Sequence, residues 1–358
     1  MTRHRSDNLS RSCSLRNAAV TLFVSLLMLG SGGGMVVRAE DGNFFQGRIL
    51  SVVVGGAAGG GSDSYARLLV RHLGKQIPGS PTMVVRNMPG AASLTAASFI
   101  QSQAKKDGSV IGAIDSSLIL RMALTLDSAK VDLSRFMFLG SANRDVYLCI
   151  ARTGGPVRNY KEMFEKEAVF GTTARGAKSH DLPLLLNKVL GTKMRLVSGY
   201  PGTRELLMAL ERTEIDGMCG LSWGTLMSQK PAWFDSDAVN ILVQEDRLGH
   251  PTLNARGVPL TLSAAESDGD RAILDFFYSQ NILGRPHVLP PGVPSERVSL
   301  LRKAYSAALN TSALREDAAK LGLEIDPVAG DEAQAAVSRI VATPPAIRNA
   351  ARLAIGGE

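Results

Sequence analysis

The chain is most constrained by the run Val52-Val53-Val54-Gly55-Gly56-Ala57-Ala58-Gly59-Gly60-Gly61-Ser62-Asp63, which leads straight into Tyr65-Ala66-Arg67-Leu68-Leu69. A β-branched apolar run stops at a glycine cluster, and a helical stripe begins at Ser62 or Asp63. A strand that feeds a helix through glycines leaves the first helical N–H groups without acceptors, and such a terminus can hold an anion. The spacing excludes two common anion loops. There is no G-x-G-x-x-G, and no Gly-Lys pair follows five residues after Gly55 or Gly56. What remains is an anion site built from backbone N–H groups, or a tight turn with no ligand. Asp63 reads either as a helix cap or as an acceptor for a ligand donor.

The first 39 residues do not belong to the fold. Arg3, Arg5, Arg11 and Arg16 precede an apolar run from Ala18 to Leu29, and Val37-Arg38-Ala39 offers small residues where a signal peptidase cuts. The run is short for a membrane span, which needs about 20 apolar residues, so export with cleavage near Ala39 is expected. Removing residues 1–39 takes five Arg and one Asp with it, and the net charge falls from +7 to +3. With little basicity left and few aromatics, nucleic acid is a poor partner. No Cys/His spacing suggests a metal, and no cofactor is expected. Cys149 and Cys219 each sit in an apolar run and read as buried free thiols, although an oxidising compartment would permit a disulfide.

Short β-rich runs then alternate with helical patterns. Strands are expected at 49–54, 82–86, 109–114, 136–140, 147–151, 168–172, 194–198, 217–221 and 239–244, and helices at 64–73, 182–190 and 204–211. The alternation predicts an α/β architecture with largely parallel sheets, and Pro290-Pro291-Gly292-Val293-Pro294 opens a C-terminal region read as two helices. Parallel sheets bind ligands beyond the C-terminal ends of their strands. Several such ends are small and polar: Gly59–Asp63, Asp115-Ser116-Ser117, Gly171–His180, Ser198–Thr203 and Leu221–Gly224. If they converge, they line one cleft between two lobes.

These ends supply the candidate ligand contacts. The first loop contributes Ala58, Gly59, Gly60, Ser62 and Asp63, and the third strand end contributes Ser116 and Ser117. Gly171–His180 contributes Arg175, Ser179 and His180, with Arg175 and Lys178 facing either a ligand or solvent and Ser179 a possible cap. Tyr200, Gly202, Ser222 and Trp223 complete the set. One enzymatic alternative exists. Gly220-Leu221-Ser222-Trp223-Gly224 fits G-x-S-x-G, with Asp246 and His287 downstream in hydrolase order. Against it, Thr225–Lys230 is a poor helix and Arg285-Pro286-His287 reads as an extended connection.

Taken in order, the segments resemble the Bug family of extracytoplasmic solute receptors, the substrate-binding subunits of tripartite tricarboxylate transporters. The match rests on Ala57–Asp63 with Ala66–Leu69, on Val84-Val85-Arg86-Asn87-Met88-Pro89-Gly90-Ala91, and on Asp107-Gly108. It continues through Gly171–His180 and Gly199-Tyr200-Pro201-Gly202-Thr203, and ends with Leu289–Pro294 and Leu321-Gly322-Leu323-Glu324. The chain departs from the family in lacking a proline before the first glycines and in carrying Arg175 and Lys178 where small residues are usual. The resemblance implies a two-lobe periplasmic binding protein of the type II-like Venus-flytrap kind. Residues 40–148 with 271–358 would form one lobe and 149–270 the other, hinged near 147–152 and within 244–286. It also implies a non-enzymatic, monomeric receptor in the periplasm. Such a receptor captures a small carboxylate through backbone groups and hands it to membrane permease subunits. A ligand-sensing receptor of the same fold is the alternative.

Overall fold

The computed structural model describes residues 43–125, 131–236 and 238–356; the expected leader, residues 1–39, lies outside them. Eleven strands in this range form two sheets. The first sheet draws on β1 (Ile49–Val54), β2 (Thr82–Asn87), β3 (Val110–Ala113), β4 (Met137–Ser141), β10 (Pro286–Leu289) and β11 (Val328–Ala329). The second draws on β5 (Tyr147–Arg152), β6 (Ala168–Thr172), β7 (Met194–Ser198), β8 (Gly217–Ser222) and β9 (Val239–Glu245). The nine strands expected from sequence are all present, with ends shifted by a residue or so.

Each sheet has a parallel half, β2-β1-β3 in the first and β7-β6-β8 in the second. The expectation of largely parallel sheets needs correcting beyond that. β10 runs antiparallel to both β3 and β4, and β5 runs antiparallel to both β8 and β9. The physical reason is the chain path. β5 and β10 enter their sheets from the opposite sheet, not through a helix returning over the same face, so the right-handed crossover that enforces parallel pairing does not apply. The crossings are 142–146 and 246–285. The first therefore lies just before Tyr147–Arg152, which is itself strand.

Three helices pack one face of the first sheet. Gly61–Leu73, Ser295–Leu309 and Ser312–Lys320 bury Tyr65, Leu68, Leu69, Leu301, Tyr305 and Leu314 against β1 and β3. The C-terminal region holds four helices where two were expected, the others being Gly330–Val341 and Pro345–Ala354. The breaks have local causes. Thr311 accepts from the Leu314 amide as a cap, Gly322 adopts φ +64°, and Pro344-Pro345 cannot continue a helix. No helix among the described residues is long and apolar enough to cross a membrane.

Cys149 and Cys219 are joined as a disulfide, which corrects the free-thiol reading. They are 70 residues apart but face each other on the adjacent strands β5 and β8, a juxtaposition that only the pairing of distant strands creates. Replacing both by alanine is expected to cost roughly 2–4 kcal/mol in urea unfolding, from the lost constraint on the unfolded chain. A cost below about 0.5 kcal/mol would show that the crosslink carries no stability.

Glu245 ends β9 fully buried, 3.4 Å from Cys149 Sγ, and accepts from the Gly220 amide at 2.8 Å. Burial pushes its carboxyl up to about 8, against the Gly220 hydrogen bond. The folded protein then keeps a proton that the unfolded chain releases above about 4.5, so stability is fully present below that pH and falls as pH rises toward 8. Glu245→Gln is expected to flatten this fall, read as the urea midpoint measured from pH 4.5 to 8. An unchanged slope would assign the pH dependence to other groups.

Candidate ligand cleft

The C-terminal ends of β1, β3, β6, β7 and β8 converge on a cavity of about 1010 Å³ between the two sheets. Its walls are loops 55–62 and 173–180, with Ala92, Ser93, Asp115, Ser117, Tyr147 and 198–205 between them, and Ser222, Thr225 and Arg285 beside the crossings.

The first loop is held from behind. Asp63 is 2% exposed and does not line the cavity. Its carboxylate accepts from the Gly59 amide at 2.8 Å, from Arg67 Nε at 2.8 Å and from Asn87 Nδ2 at 2.9 Å. Burial raises this carboxyl, but those three donors outweigh it and hold it below its ordinary value. Asp63 therefore braces the glycine loop, and Asn87 adds a bond to Gly56 O at 3.1 Å. The helix starts at Gly61, after Gly60 in extended conformation and with no side-chain cap. The N–H groups of its first turn thus stay available.

A left-handed turn wedges the next piece into place. Gly90, Ala91, Ala92 and Ser93 all have positive φ, costly for the three that carry a Cβ. The turn drives the Ser93 hydroxyl between the first loop and β3, where it donates to Gly55 O at 3.2 Å and accepts from the Asp115 amide at 3.1 Å. A Cβ on Gly55 would sit 2.3 Å from that hydroxyl, so the close approach itself requires glycine there.

Opposite lies the helix Lys178–Leu190, which starts four residues earlier than periodicity suggests. Ala177 is its N-cap residue, so Ser179 is not the cap. Ser179 Oγ instead accepts from the Thr173 amide at 3.2 Å and bonds the Thr173 hydroxyl at 2.7 Å, closing the loop. His180 Nδ1 lies 2.9 Å from Asp181 Oδ1, which also accepts from the Gly176 amide at 3.0 Å. Lys178 and Arg175 part company. Arg175 is exposed at the rim, whereas Lys178 is 8% exposed and reaches across the cleft to Ser116 Oγ at 2.9 Å and Asp115 Oδ1 at 3.3 Å. Its Nζ also stands 4.7 Å from the Tyr147 ring centroid. Burial works against the ammonium, yet Asp115 and Tyr147 more than restore it, and Lys178 stays charged. For Asp115, burial raises the carboxyl while Lys178, Ser117 and Arg285 lower it further, and the net shift is well downward.

Of the residues expected at the site, Ala58, Gly59, Gly60, Ser62, Ser117, Arg175, Ser179, His180, Tyr200, Gly202 and Ser222 line the cavity. Asp63, Ser116 and Trp223 do not. Ser116 is buried behind Lys178, and Trp223 turns to a second cavity of about 760 Å³ lined by the crossings, donating to Glu324 Oε1 at 3.0 Å. The lining residues absent from the expected contacts include Asp115, Tyr147, Lys178 and Arg285. Asp115 and Lys178 stood in loops already singled out, and their pairing was the missing signal.

Ser222 does not sit in a hydrolase triad. The helix that follows it, Trp223–Gln229, is short, as expected, and Ser222 caps that helix and donates to Asp145 Oδ2 at 2.6 Å. His287 lies within β10, bonded to Tyr305 Oη at 2.9 Å and Arg285 O at 3.1 Å, and burial lowers its pKa to about 4. Asp246 takes the Leu248 and Gly249 amides and Asn281. The three are spent on separate structural tasks.

Two α/β sheets joined by two crossings, with one cleft lined by strand ends, define the two-lobe periplasmic-binding-protein class. Solved structures agree. The periplasmic binding protein BugD superposes with TM-score 0.66 at 23% identity over 86% of this chain and 97% of its own. MatC from Rhodopseudomonas palustris, with bound malate, gives 0.63 at 21% identity over 86% and 99%. Among curated sequences, the UPF0065 protein of the TAR-I ttuE-ttuC' intergenic region of Agrobacterium vitis is 26% identical over 243 residues, 66% of this chain and 68% of that protein. No protein-family model matches the chain. These likenesses give the chain the fold of the Bug-type periplasmic binding proteins and a distant sequence similarity to a UPF0065 protein.

Proposed function

We propose that the protein is a periplasmic receptor that closes around a small carboxylate and presents it to the membrane subunits of a tripartite tricarboxylate-type transporter. The observation that carries this reading is the pairing of two helix N-termini, at Gly61 and Lys178, on opposite walls of one cavity, with the buried Lys178 ammonium between them. Each N-terminus offers unsatisfied N–H groups and the positive end of a helix dipole. A charge-assisted hydrogen bond contributes roughly 1.5–3 kcal/mol. Three or four of them reach the roughly 8 kcal/mol of a micromolar binder, less the cost of ordering the lobes. The malate in MatC and the adipate in a second R. palustris neighbour fit the same chemistry. Retention of an intact ligand for release is also consistent with Ser222, Asp246 and His287 being committed to structure.

The test is a thermal-shift screen with mono-, di- and tricarboxylates. A ligand at 100 times its dissociation constant adds about 2.7 kcal/mol, and small-angle scattering should show compaction with that ligand. Failure of every carboxylate to stabilise the protein would overturn the reading. Within the cleft, Lys178→Met is expected to weaken carboxylate binding by about tenfold to a hundredfold, since opposite charges attract most where water is excluded. Arg175→Ala, at the exposed rim, should change it by less than about threefold. Titration calorimetry separates the two, and equal, slight effects would leave the backbone as the main anion contact.

A further inference from the structure

Asp115 is an anion inside a cleft that is proposed to hold anions, and its geometry gives it a purpose. It follows β3 and is held through one oxygen only. Oδ1 accepts from the Ser117 amide at 2.8 Å, from the Ser117 hydroxyl at 2.6 Å and from Lys178 Nζ at 3.3 Å. The Asp115 amide is fixed in turn by Ser93 Oγ at 3.1 Å, so neither backbone nor carboxylate is free to turn away. Oδ2 accepts no hydrogen bond within the described residues, while the side chain is 45% exposed and lines the cavity. The result is a rigid carboxylate presenting one bare oxygen to the ligand space, next to the cation that a ligand carboxylate would seek.

A plain carboxylate on Lys178 would meet this oxygen as a like charge. A ligand with an O–H or N–H donor on the carbon beside its carboxylate would meet it as a partner. We infer that Asp115 is a specificity-determining residue that selects carboxylates bearing a hydroxyl or ammonium group next to the carboxylate. A ligand that covers this oxygen without bonding it leaves a desolvated polar group unpaired, and that is what makes such sites discriminate strongly. The inference rests on the carboxylate reading of the cleft and adds the second group that the ligand must carry.

The experiment uses three matched series measured by calorimetry on the whole protein: propionate, lactate and alanine; succinate, malate and aspartate; adipate, 2-hydroxyadipate and 2-aminoadipate. In the best-bound series, the donor-bearing member should bind wild type at least about tenfold more tightly than the plain acid. Asp115→Ala should bring the two within about threefold. Asp115→Asn keeps the Ser117 bonds through its one oxygen and turns an uncharged NH2 donor to the ligand, from which a hydroxyl can accept and an ammonium cannot. It should retain the preference for a hydroxyl and lose that for an ammonium, which tells the two donors apart. Thermal melts confirm that both variants fold. Equal binding of plain and donor-bearing acids by wild type, or a preference that survives Asp115→Ala, overturns the inference and leaves the carboxylate reading standing. Failure of all nine compounds to bind wild type overturns the inference, and the screen that includes tricarboxylates decides the carboxylate reading separately.

Discussion

Gly60→Val is expected to abolish ligand binding, by at least about a hundredfold, while leaving the melting temperature within a few degrees of wild type. The position is suited to this test. Gly60 has φ −76° and ψ 167°, extended backbone that valine adopts without strain. The nearest atom to an added Cβ, outside its chain neighbours, is Ala57 O at 3.2 Å, and the residue lines the cavity. An added Cβ needs the Ala57 carbonyl to give by a few tenths of an ångström and meets no core side chain. Neighbouring glycines are worse probes. A Cβ on Gly61 would stand 2.9 Å from Arg285 Nη2, and one on Gly55 would strike Ser93 Oγ, so both changes disturb the frame as well as the site. Calorimetry with the best carboxylate, beside circular dichroism, decides the outcome. Unchanged affinity would remove the first loop from the site.

What could be read from the sequence was what is local. The glycine loop, the second loop and the turn at 199–203 were legible because glycines and hydroxyls between a strand and a helix state their chemistry within ten residues. All three do line the cleft. The charged pairs were not legible. Lys178 meets Asp115 across 63 residues, and Arg285 meets Asp145 across 140, partners that exist only once the two sheets face each other. β10 was missed for the same reason. Arg285-Pro286-His287-Val288-Leu289 is extended, as read, but its pairing with β3 and β4 depends on strands about 150 residues away, and its leading proline masks a strand. Asp63 shows the limit from the other side. Its place at the helix start suggested either a cap or a ligand contact. The fold turns it inward to hold the loop through the Gly59 amide, a bond that depends on where Asn87 and Arg67 stand.

The second large effect is expected where the two crossings meet. Asp145 on the first crossing and Arg285 at the end of the second are 3% and 9% exposed, and Asp145 Oδ2 lies 3.0 Å from Arg285 Nη1. Ser222, from the end of β8, donates to the same carboxylate oxygen, and the Tyr65 ring stands 5.2 Å from the guanidinium. Both crossings and both sheets thus meet at one buried pair. Burial raises the Asp145 carboxyl, with Arg285 and Ser222 opposing it, while the guanidinium remains charged at any ordinary pH. Asp145→Ala would leave that charge buried without its counter-ion, which costs about 3–5 kcal/mol. The loss should appear as a lower urea midpoint with an unchanged slope. The double change Asp145→Ala with Arg285→Met removes the orphaned charge and should recover a large part of it, because a buried ion pair is often replaceable by apolar groups of similar volume. A single-variant loss below about 1 kcal/mol would mean that water or Ser222 compensates the guanidinium. In that case the crossings are held by packing alone. A double variant no more stable than Asp145→Ala would instead place the cost in the lost Ser222 and backbone geometry, since the charge it was meant to relieve would no longer be there.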